Sequence, residues 1–209
     1  MILLVLGARA KWLTFSTALC PVMIALPSTA QTLHSRQHLA GREPPVADVL
    51  ITTVRGLSVA TLAADCVPLL VHDAESGAVA AVHVGREGLL RGVVDTAVAA
   101  IMEARHGGVR QESVTFSIGP AICGRCYEVS SEVRAEVTAR YPLARSTTRW
   151  ATPALDLPQA VAGRLAHLGF DRVVRHRRCT FEEPRLFSYR RDRLTGRQAG
   201  VVSCDGPPA

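Results

Sequence analysis

The sequence predicts a single mixed α/β domain, and two observations support that prediction. The chain has 209 residues, of which 48% are hydrophobic and 20% charged, so it carries enough apolar material for one full-sized core. From position 43 onward, apolar runs of strand length are interspersed with longer segments whose apolar residues recur at helical spacing. We therefore expect one mixed sheet with flanking helices over residues 43–209.

The strands are predicted from short runs rich in valine, alanine and leucine. The first three are DVLITTV, LSVATLAADC and AVAAVHVG, with the composition of strands that are covered on both faces. SVTFSIGPAIC follows as a strand and its turn, and DRVVRHRRCT as a further strand. The last strand is expected at the end of LFSYRRDRLTGRQAGVVSC, after a basic loop.

Three segments predict helices, and each has a start or stop signal. LLRGVVDTAVAAIMEARHG carries apolar residues at helical spacing and ends on two glycines. SSEVRAEVTARYP is opened by Ser130 or Ser131 and closed before a proline. ALDLPQAVAGRLAHLGF has Asp156 as its N-cap and Gly169 at its end.

The basic charge of the chain does not indicate a nucleic-acid partner. The formal net charge is +6, but the excess is almost entirely arginine, since Lys11 is the only lysine. GC-rich codons supply arginine without selection for phosphate contacts. The chain also has only three tyrosines, two tryptophans and five phenylalanines for base stacking.

The cysteines and the first apolar run bear on the compartment. Six cysteines occur in a chain that is long and apolar enough to fold without disulfides, so we expect reduced thiols in a cytoplasmic protein. The run before position 27 is broken by Pro21 and is too short to cross a membrane. It ends in Ser28-x-Ala30, which is similar to a secretory signal and its cleavage site, but we expect no membrane partner.

Cys66 and His83 are the first candidates for chemistry. Each lies at or near the end of a predicted strand, so neighbouring strands place both side chains at one rim of the sheet. A thiolate and a neutral imidazole suit catalytic zinc, which takes three protein ligands and keeps one open position. The same pair also suits a cysteine nucleophile with its histidine base, or a packed thiol beside an unrelated histidine. Asp65, next to Cys66, needs an arginine or a backbone N–H as its partner.

The residues alone do not decide the function of two further motifs. Cys123 and Cys126 form a C-x-x-C, but no second C-x-x-C completes a zinc ribbon, and nothing resembling a thioredoxin context surrounds the pair. FSYRRDRLTGR brings Ser188, Arg190, Arg191 and Asp192 together. Arginine forks suit carboxylate or phosphate oxygens, whereas a solvated basic loop is the ordinary explanation of such a run.

These motifs together resemble the YfiH-type family, also labelled multicopper polyphenol oxidoreductases (laccase-domain proteins) and described as zinc-dependent purine nucleoside phosphorylases. The chain shows AADCVP at 63–68, HVGREG at 83–88 and IGPAICGRCYEV at 118–129. It then shows Cys179-Thr180 and FSYRRDRLTGR at 187–197. Five ordered motifs make the resemblance specific from about residue 44 to the C-terminus.

The resemblance implies a function and a site. It implies that Cys66 and His83 are zinc ligands, with copper disfavoured because one Cys–His pair cannot build a multicopper cluster. It implies that purine nucleosides and phosphate are converted to the base and ribose 1-phosphate, with adenosine, inosine or methylthioadenosine as substrate. Some members also deaminate adenosine. The basic motif, with Ser188, Arg190, Arg191 and Asp192, would then contact ribose or phosphate.

Three departures from the family pattern matter. The Trp-Arg that follows the glycine in the family is Arg86-Glu87 here, and Arg193 replaces a usual glycine. The family's third ligand, a histidine of a Q-[VI]-H-G motif upstream of the ADVLIT strand, is absent. His34 and His38 are the only histidines on that side, and both lie too close to Asp48 for the family register.

Residues 1–42 resemble no part of the family. The segment STAQTLH can be back-translated into DNA with codons that end in G or C. Read in the next frame, that DNA encodes His-Gly-Ala-Asp-Val-Ala, which continues the missing motif. The hypothesis is therefore that this segment is translated out of frame, the alternative being a signal.

Two rivals to the phosphorylase function remain. One is a Cys66–His83 hydrolase or amidase acting on peptidoglycan precursors, and the other is a catalytically impaired remnant.

Overall fold

A computed structural model of the protein describes residues 47–104 and 110–203 in full, and the backbone of three short strands before them. The strands in chain order are β1 (Ile2–Leu6), β2 (Val22–Ala25), β3 (Thr32–His34), β4 (Val49–Thr52), β5 (Ser58–Ala63), β6 (Val67–Asp73), β7 (Val79–Val84), β8 (Val114–Ile118), β9 (Arg145–Thr147), β10 (Pro153–Leu155), β11 (Val173–Arg175) and β12 (Arg197–Ser203). The α-helices are α1 (Arg86–Leu90), α2 (Val93–Glu103), α3 (Ser131–Arg140), α4 (Leu157–His167) and α5 (Tyr189–Asp192).

The strands form two large sheets and one small one. The larger has six strands in the order β11-β8-β6-β7-β4-β3, antiparallel at its centre and parallel at both edges. The second has the order β1-β12-β5-β2, and β9 pairs with β10. The predicted mixed α/β fold is confirmed, although the strands divide between sheets.

The larger sheet is buried on both faces. One face of its strands packs with α2 and α4 in a core that includes Phe116, Ile101 and Leu165. The other face, with Leu50 and Leu70, packs against the second sheet. Helices, larger sheet and second sheet therefore form three layers, which explains why β4, β6 and β7 are almost continuous apolar runs.

The helix signals predicted at Ser130, Asp156 and Gly169 are confirmed, and the glycine stop predicted at Gly107-Gly108 lies outside the described residues. The Ser130 hydroxyl caps α3 by accepting from the N–H of Val133 at 3.3 Å, and the Asp156 carboxylate caps α4 by accepting from the N–H of Gln159 at 2.8 Å. Gly169 follows α4 with φ +87°, the left-handed conformation that lets a glycine end a helix.

Five features differ from the prediction. LSVATLAADC ends as a strand at Ala63, and the next apolar run, which was not predicted as a strand, is β6. The first helix is two helices, because Gly92 adopts φ +80° between α1 and α2. The expected basic loop contains the single turn α5, and the strand predicted over DRVVRHRRCT is only the three residues of β11. Within the described ranges, no helix is both long enough and apolar enough to cross a membrane.

Candidate functional site

Cys66 and His83 lie at the same rim of the larger sheet. Cys66 directly precedes β6, and His83 is the last residue but one of β7. The two strands are antiparallel, and Val67 pairs with Val84, so the start of one strand meets the end of the other. The predicted proximity follows from that pairing, with Cys66 in the bend before β6 and not at the end of β5.

The thiol and the imidazole face one small space beside Gly85. A Cβ atom built on Gly85 would lie 3.3 Å from Sγ of Cys66, 3.4 Å from Cε1 of His83 and 4.0 Å from Nε2 of His83. Because Gly85 has no side chain, nothing at that position crowds the sulfur of Cys66 or the imidazole of His83.

Asp48 holds the imidazole from the other side. Oδ1 of Asp48 lies 3.0 Å from Nδ1 of His83, with side-chain exposures of 5% and 13%. Burial lowers the pKa of His83, but its hydrogen bonds and charge interactions with Asp48 and Cys66 outweigh burial and raise that pKa to about 9. Asp48 was not predicted as a site residue, although an acid directly before the buried strand VLIT indicates a buried partner.

Asp65 joins three segments next to Cys66. Its backbone has φ +97°, which is strained for a residue other than glycine. Its carboxylate accepts from the Thr180 hydroxyl and from the N–H of Arg190, both at 2.7 Å, and its carbonyl accepts from the N–H of Ile122 at 3.0 Å. The prediction that Asp65 needs an arginine or backbone N–H partner is thus met by a backbone N–H.

Arg190 and Arg86 bring positive charge to this rim. The guanidinium of Arg190 lies 4.8 Å from the ring centroid of Tyr127 and donates to the carbonyl of Glu128 at 2.9 Å. Burial raises the pKa of Tyr127, which also responds to the charges of Arg190, Cys66 and Arg86. Tyr127 therefore packs against Arg190, and the charges of the Cys66 thiol and of Arg86 also act on its hydroxyl.

Arg191, by contrast, stabilises its own loop. Its guanidinium pairs with Asp192 at 2.7 Å. It also donates to the backbone carbonyls of Thr180, Phe181, Glu183 and Leu186. Ser188 is fully buried, and its hydroxyl caps α5 by accepting from the N–H of Arg191 at 3.2 Å. The prediction that Ser188, Arg190, Arg191 and Asp192 bind substrate stays a prediction.

Arg193 shows why a glycine suits its position. Its backbone has φ +58° and ψ −67°, and the N–H of Leu194 donates to the carbonyl of Asp192 at 2.6 Å. This is a γ-turn in a conformation that is strained for residues with a Cβ. The replacement of glycine noted in the sequence therefore falls on a position that requires positive φ.

A second group of ligand atoms lies in the loops after β8 and β11. One ligand atom from each of Cys123, Cys126, Cys179 and Glu182 lies within 4.8 Å of the other three, so this group could hold a metal ion. The sulfur of Cys179 accepts hydrogen bonds from Cys123 and from backbone N–H groups, which outweigh burial and lower its pKa to about 6. The sequence showed the C-x-x-C but not its partners, which are more than fifty residues away.

The third ligand implied by the family resemblance does not come from the fully described residues. Within them, no third side chain forms such a group with Cys66 and His83. His34 belongs to β3, where its backbone pairs with Ile51, and its side chain lies outside the described part, as does all of His38.

Comparison with known proteins identifies the family. Residues 21–205 match the family model described as multi-copper polyphenol oxidoreductase laccase. A purine nucleoside phosphorylase of Streptomyces coelicolor is 48% identical over 164 residues, which cover 78% of this chain and 66% of the relative. The purine nucleoside phosphorylase YfiH of Escherichia coli is 33% identical, over 75% of this chain and 63% of the relative. This chain thus spans just under two thirds of the length of these relatives.

A solved structure extends the likeness to the fold. The crystal structure of a Neisseria meningitidis protein of family DUF152 superimposes with a TM-score of 0.77 at 30% identity, covering 89% of this chain and 76% of that one. The family match includes most of the chain and all five sequence motifs. The chain therefore belongs to the YfiH-type family, whose members carry the polyphenol oxidoreductase laccase description.

Proposed function

We propose that this chain is a zinc-dependent purine nucleoside phosphorylase. The observation that carries the proposal is the space beside Gly85, which is faced by Sγ of Cys66 and Nε2 of His83 while Asp48 occupies Nδ1 of the same imidazole. Relatives that are 48% and 33% identical are named purine nucleoside phosphorylases, which supports the same reaction here.

The side chains at this rim fit a zinc ion. One sulfur and one imidazole nitrogen are preferred zinc ligands, and a carboxylate on the remaining nitrogen is the usual outer partner of a zinc-bound histidine. The third ligand is proposed to come from the segment before Ala47, with His34 and His38 as the candidates present. If neither serves, the site is degenerate. A bound zinc would supply a Lewis acid and a water of lowered pKa.

The residues of the chain itself bind and orient the reactants in this proposal. Arg190 and Arg86 offer positive charge to phosphate, and the Tyr127 ring offers a wall for the nucleoside. A phosphate oxygen forms a bond to C1′ of the ribose while the bond from C1′ to the base nitrogen breaks, and the base leaves with a proton. The substrates are adenosine, inosine or methylthioadenosine. Deamination of adenosine to inosine and ammonia would use water in place of phosphate.

The compartment, the domain boundaries and the origin of residues 1–42 are part of the same proposal. Cys66, Cys123, Cys126 and Cys179 are free thiols, which supports a reducing, cytoplasmic compartment. Residues 43–209 form the catalytic domain, and 1–42 are a segment of separate origin, out of frame or signal-like. Resequencing the gene tests the frame, because an intact frame without a His-Gly in this stretch would exclude the shift.

Adenosine turnover measured with and without phosphate tests the function. We expect release of adenine only with phosphate, loss of that release in Cys66→Ser and His83→Ala, and no loss in His72→Ala, which changes an exposed histidine of β6. The difference in zinc content between wild type and Cys66→Ser reports occupancy of this site. Folded protein that releases no base and binds no zinc through Cys66 would overturn the proposal in favour of an impaired remnant.

A cysteine hydrolase is the second candidate, and one contact favours it. The imidazole of His83 contacts the Asp48 carboxylate at 3.0 Å on one side, and the Cys66 thiol on the other side helps to raise its pKa, which is the order nucleophile, base and orienting acid. An amidase of this kind, acting on peptidoglycan precursors, would keep its activity in chelator and lose it to thiol alkylation. The phosphorylase would lose activity to chelator and regain it with zinc.

A further inference from the structure

We propose that Cys123, Cys126, Cys179 and Glu182 form a second metal site, which takes a zinc ion for structural purposes. The site uses none of the residues at the Cys66–His83 rim, so it stands whether or not the chain is a phosphorylase. Its donor set of three sulfurs and one carboxylate oxygen is suited to tetrahedral zinc.

The C-x-x-C segment is already folded as a turn that brings its two thiols together. The N–H groups of Cys126 and Tyr127 both donate to the carbonyl of Cys123, at 2.9 and 3.0 Å. A Cβ built on Gly124 would lie 2.5 Å from Oγ of Ser146, so the turn packs directly onto β9 and glycine is required there. The backbone therefore fixes the Cβ positions of the two cysteines, and a single side-chain torsion sets the position of each sulfur.

Cys179 is held against this turn by backbone contacts. It forms a parallel bridge with Ala121, where the N–H of Thr180 donates to the Ala121 carbonyl at 3.1 Å. The N–H of Cys123 points at Sγ of Cys179 at 3.3 Å. N–H donors aimed at a sulfur favour its thiolate form, which is the form that binds metal.

Glu182 supplies the fourth ligand atom, and Arg149 reduces the negative charge of the cluster. Oε1 of Glu182 lies 3.5 Å from Sγ of Cys126, and Arg149 contacts both atoms, with Nη2 at 2.6 Å from that sulfur and in an ion pair with that carboxylate. Three thiolates and one carboxylate around a divalent cation leave two excess negative charges, of which the Arg149 guanidinium offsets one.

The burial of the four ligands suits a structural ion. Cys126 and Cys179 are buried, Cys123 is half-buried and Glu182 is exposed, so solvent reaches the cluster at Cys123 and Glu182. Four protein ligands occupy all four coordination positions of a tetrahedral zinc and leave none for substrate, as in structural sites. An ion there would fasten the loop after β8 to the loop after β11.

Cobalt substitution in a Cys66→Ser background tests this site alone. The Cys66→Ser chain, purified in reductant, is expected to bind about one zinc per chain. Its cobalt form should show tetrahedral ligand-field bands and a near-ultraviolet band from thiolate-to-cobalt charge transfer. Adding Cys126→Ser should reduce that near-ultraviolet band by about one third, because one of three thiolates is lost.

Two further variants make the result decisive. Cys204→Ser removes a thiol outside the cluster and should leave the band unchanged. Glu182→Gln changes an exposed ligand, so it keeps the protein folded if Cys126→Ser does not, and it should weaken zinc binding while preserving the thiolate band. The proposal is overturned if the Cys66→Ser protein binds no metal and its thiols all titrate as free. A Cys123–Cys179 disulfide that persists in reductant would overturn it equally, since the cluster would then be a redox pair.

Discussion

Oδ1 of Asp48 lies 3.0 Å from Nδ1 of His83, and this contact fixes which imidazole nitrogen faces the space beside Gly85. The backbone reinforces it, because the N–H of His83 donates to the carbonyl of Asp48 at 2.8 Å. A histidine that is held at Nδ1 by a buried carboxylate presents Nε2 in one orientation. Its Nε2 is therefore oriented before anything binds, and it acts as a ligand or as a base once the imidazole has lost its proton.

Replacing Asp48 by asparagine should separate orientation from charge. Asp48→Asn keeps a hydrogen-bonding oxygen but removes the negative charge, so zinc affinity at this site should fall about 10- to 100-fold. In metal-free protein the pKa of His83 should drop below its value of about 9, since the carboxylate helps to raise it. Competitive zinc titration and NMR of the imidazole measure the two effects. Asp171→Asn, an exposed change, is the control, and unchanged zinc affinity in Asp48→Asn would contradict this role.

Gly85→Ala should damage the site with little effect on the fold. Gly85 has φ −88° and ψ 175°, which alanine adopts freely, so the only cost is the new Cβ, at 3.3 Å from Cys66 Sγ and 3.4 Å from His83 Cε1. Displacing these groups by a fraction of an ångström should reduce turnover about 10- to 100-fold.

The matched control for Gly85→Ala is Gly88→Ala. The Cβ of this second alanine would make only an ordinary contact of 3.5 Å with Val93. It should preserve both activity and melting temperature. Equal activity in the two variants would show that the space beside Gly85 is not used.

Arg193→Gly should stabilise the protein. Glycine relieves the strained backbone at φ +58°, and after the greater unfolded-state entropy of glycine is subtracted, the free energy of unfolding should rise by about 1 kcal/mol. Arg193→Ala loses the same cation–π contact with Tyr189, at 5.7 Å from the ring centroid, without relieving the strain. Urea unfolding of both variants checks the prediction, and a gain in Arg193→Ala as large as in Arg193→Gly would refute the strain argument.

Asp73 should make the protein sensitive to acid. Burial raises its pKa, but hydrogen bonds from Ser113, Ser76 and backbone N–H groups outweigh burial and hold that pKa below its ordinary value of 3.8. The carboxylate therefore stabilises the fold fully above the unfolded pKa, and this contribution is lost as the pH falls through the folded pKa.

Asp73→Asn should flatten that acid dependence. Urea midpoints measured on both sides of pH 4 should fall less steeply in the variant than in wild type. Glu75→Gln changes an exposed carboxyl in the same turn and should leave the slope as it is. If the urea midpoint depends on pH with the same slope in wild type and in Asp73→Asn, Asp73 does not cause the acid sensitivity.

Local signals in the sequence predicted much of the fold. The caps at Ser130 and Asp156 and the stop at Gly169 are short-range features, and each appears where expected. β6 was missed because it follows β5 after only a three-residue bend, and no glycine or proline stands in that bend to divide two apolar runs. Asp65 makes the turn by adopting a positive φ itself. An aspartate at the end of an apolar strand does not indicate such a turn.

The two ligand groups differ in how far the sequence could predict them. Cys66 and His83 come together through one antiparallel pairing of nearby strands, so spacing and composition were sufficient to suggest a common rim. Cys179 reaches Cys123 through a parallel bridge outside the named strands, which no periodicity reveals. Asp48 was overlooked because its partner depends on which strand neighbours β7, and that is a matter of sheet order.

The partners of the Asp65 carboxylate have a consequence for the order of folding. They lie 115 and 125 residues further along the chain, at Thr180 and Arg190. A nascent chain that has exposed only β4 to β8 contains Cys66, His83 and Asp48, but not the groups that bind this carboxylate in the strained bend between β5 and β6. We therefore expect the rim to become rigid only late in synthesis, after α5 has emerged from the ribosome and docked.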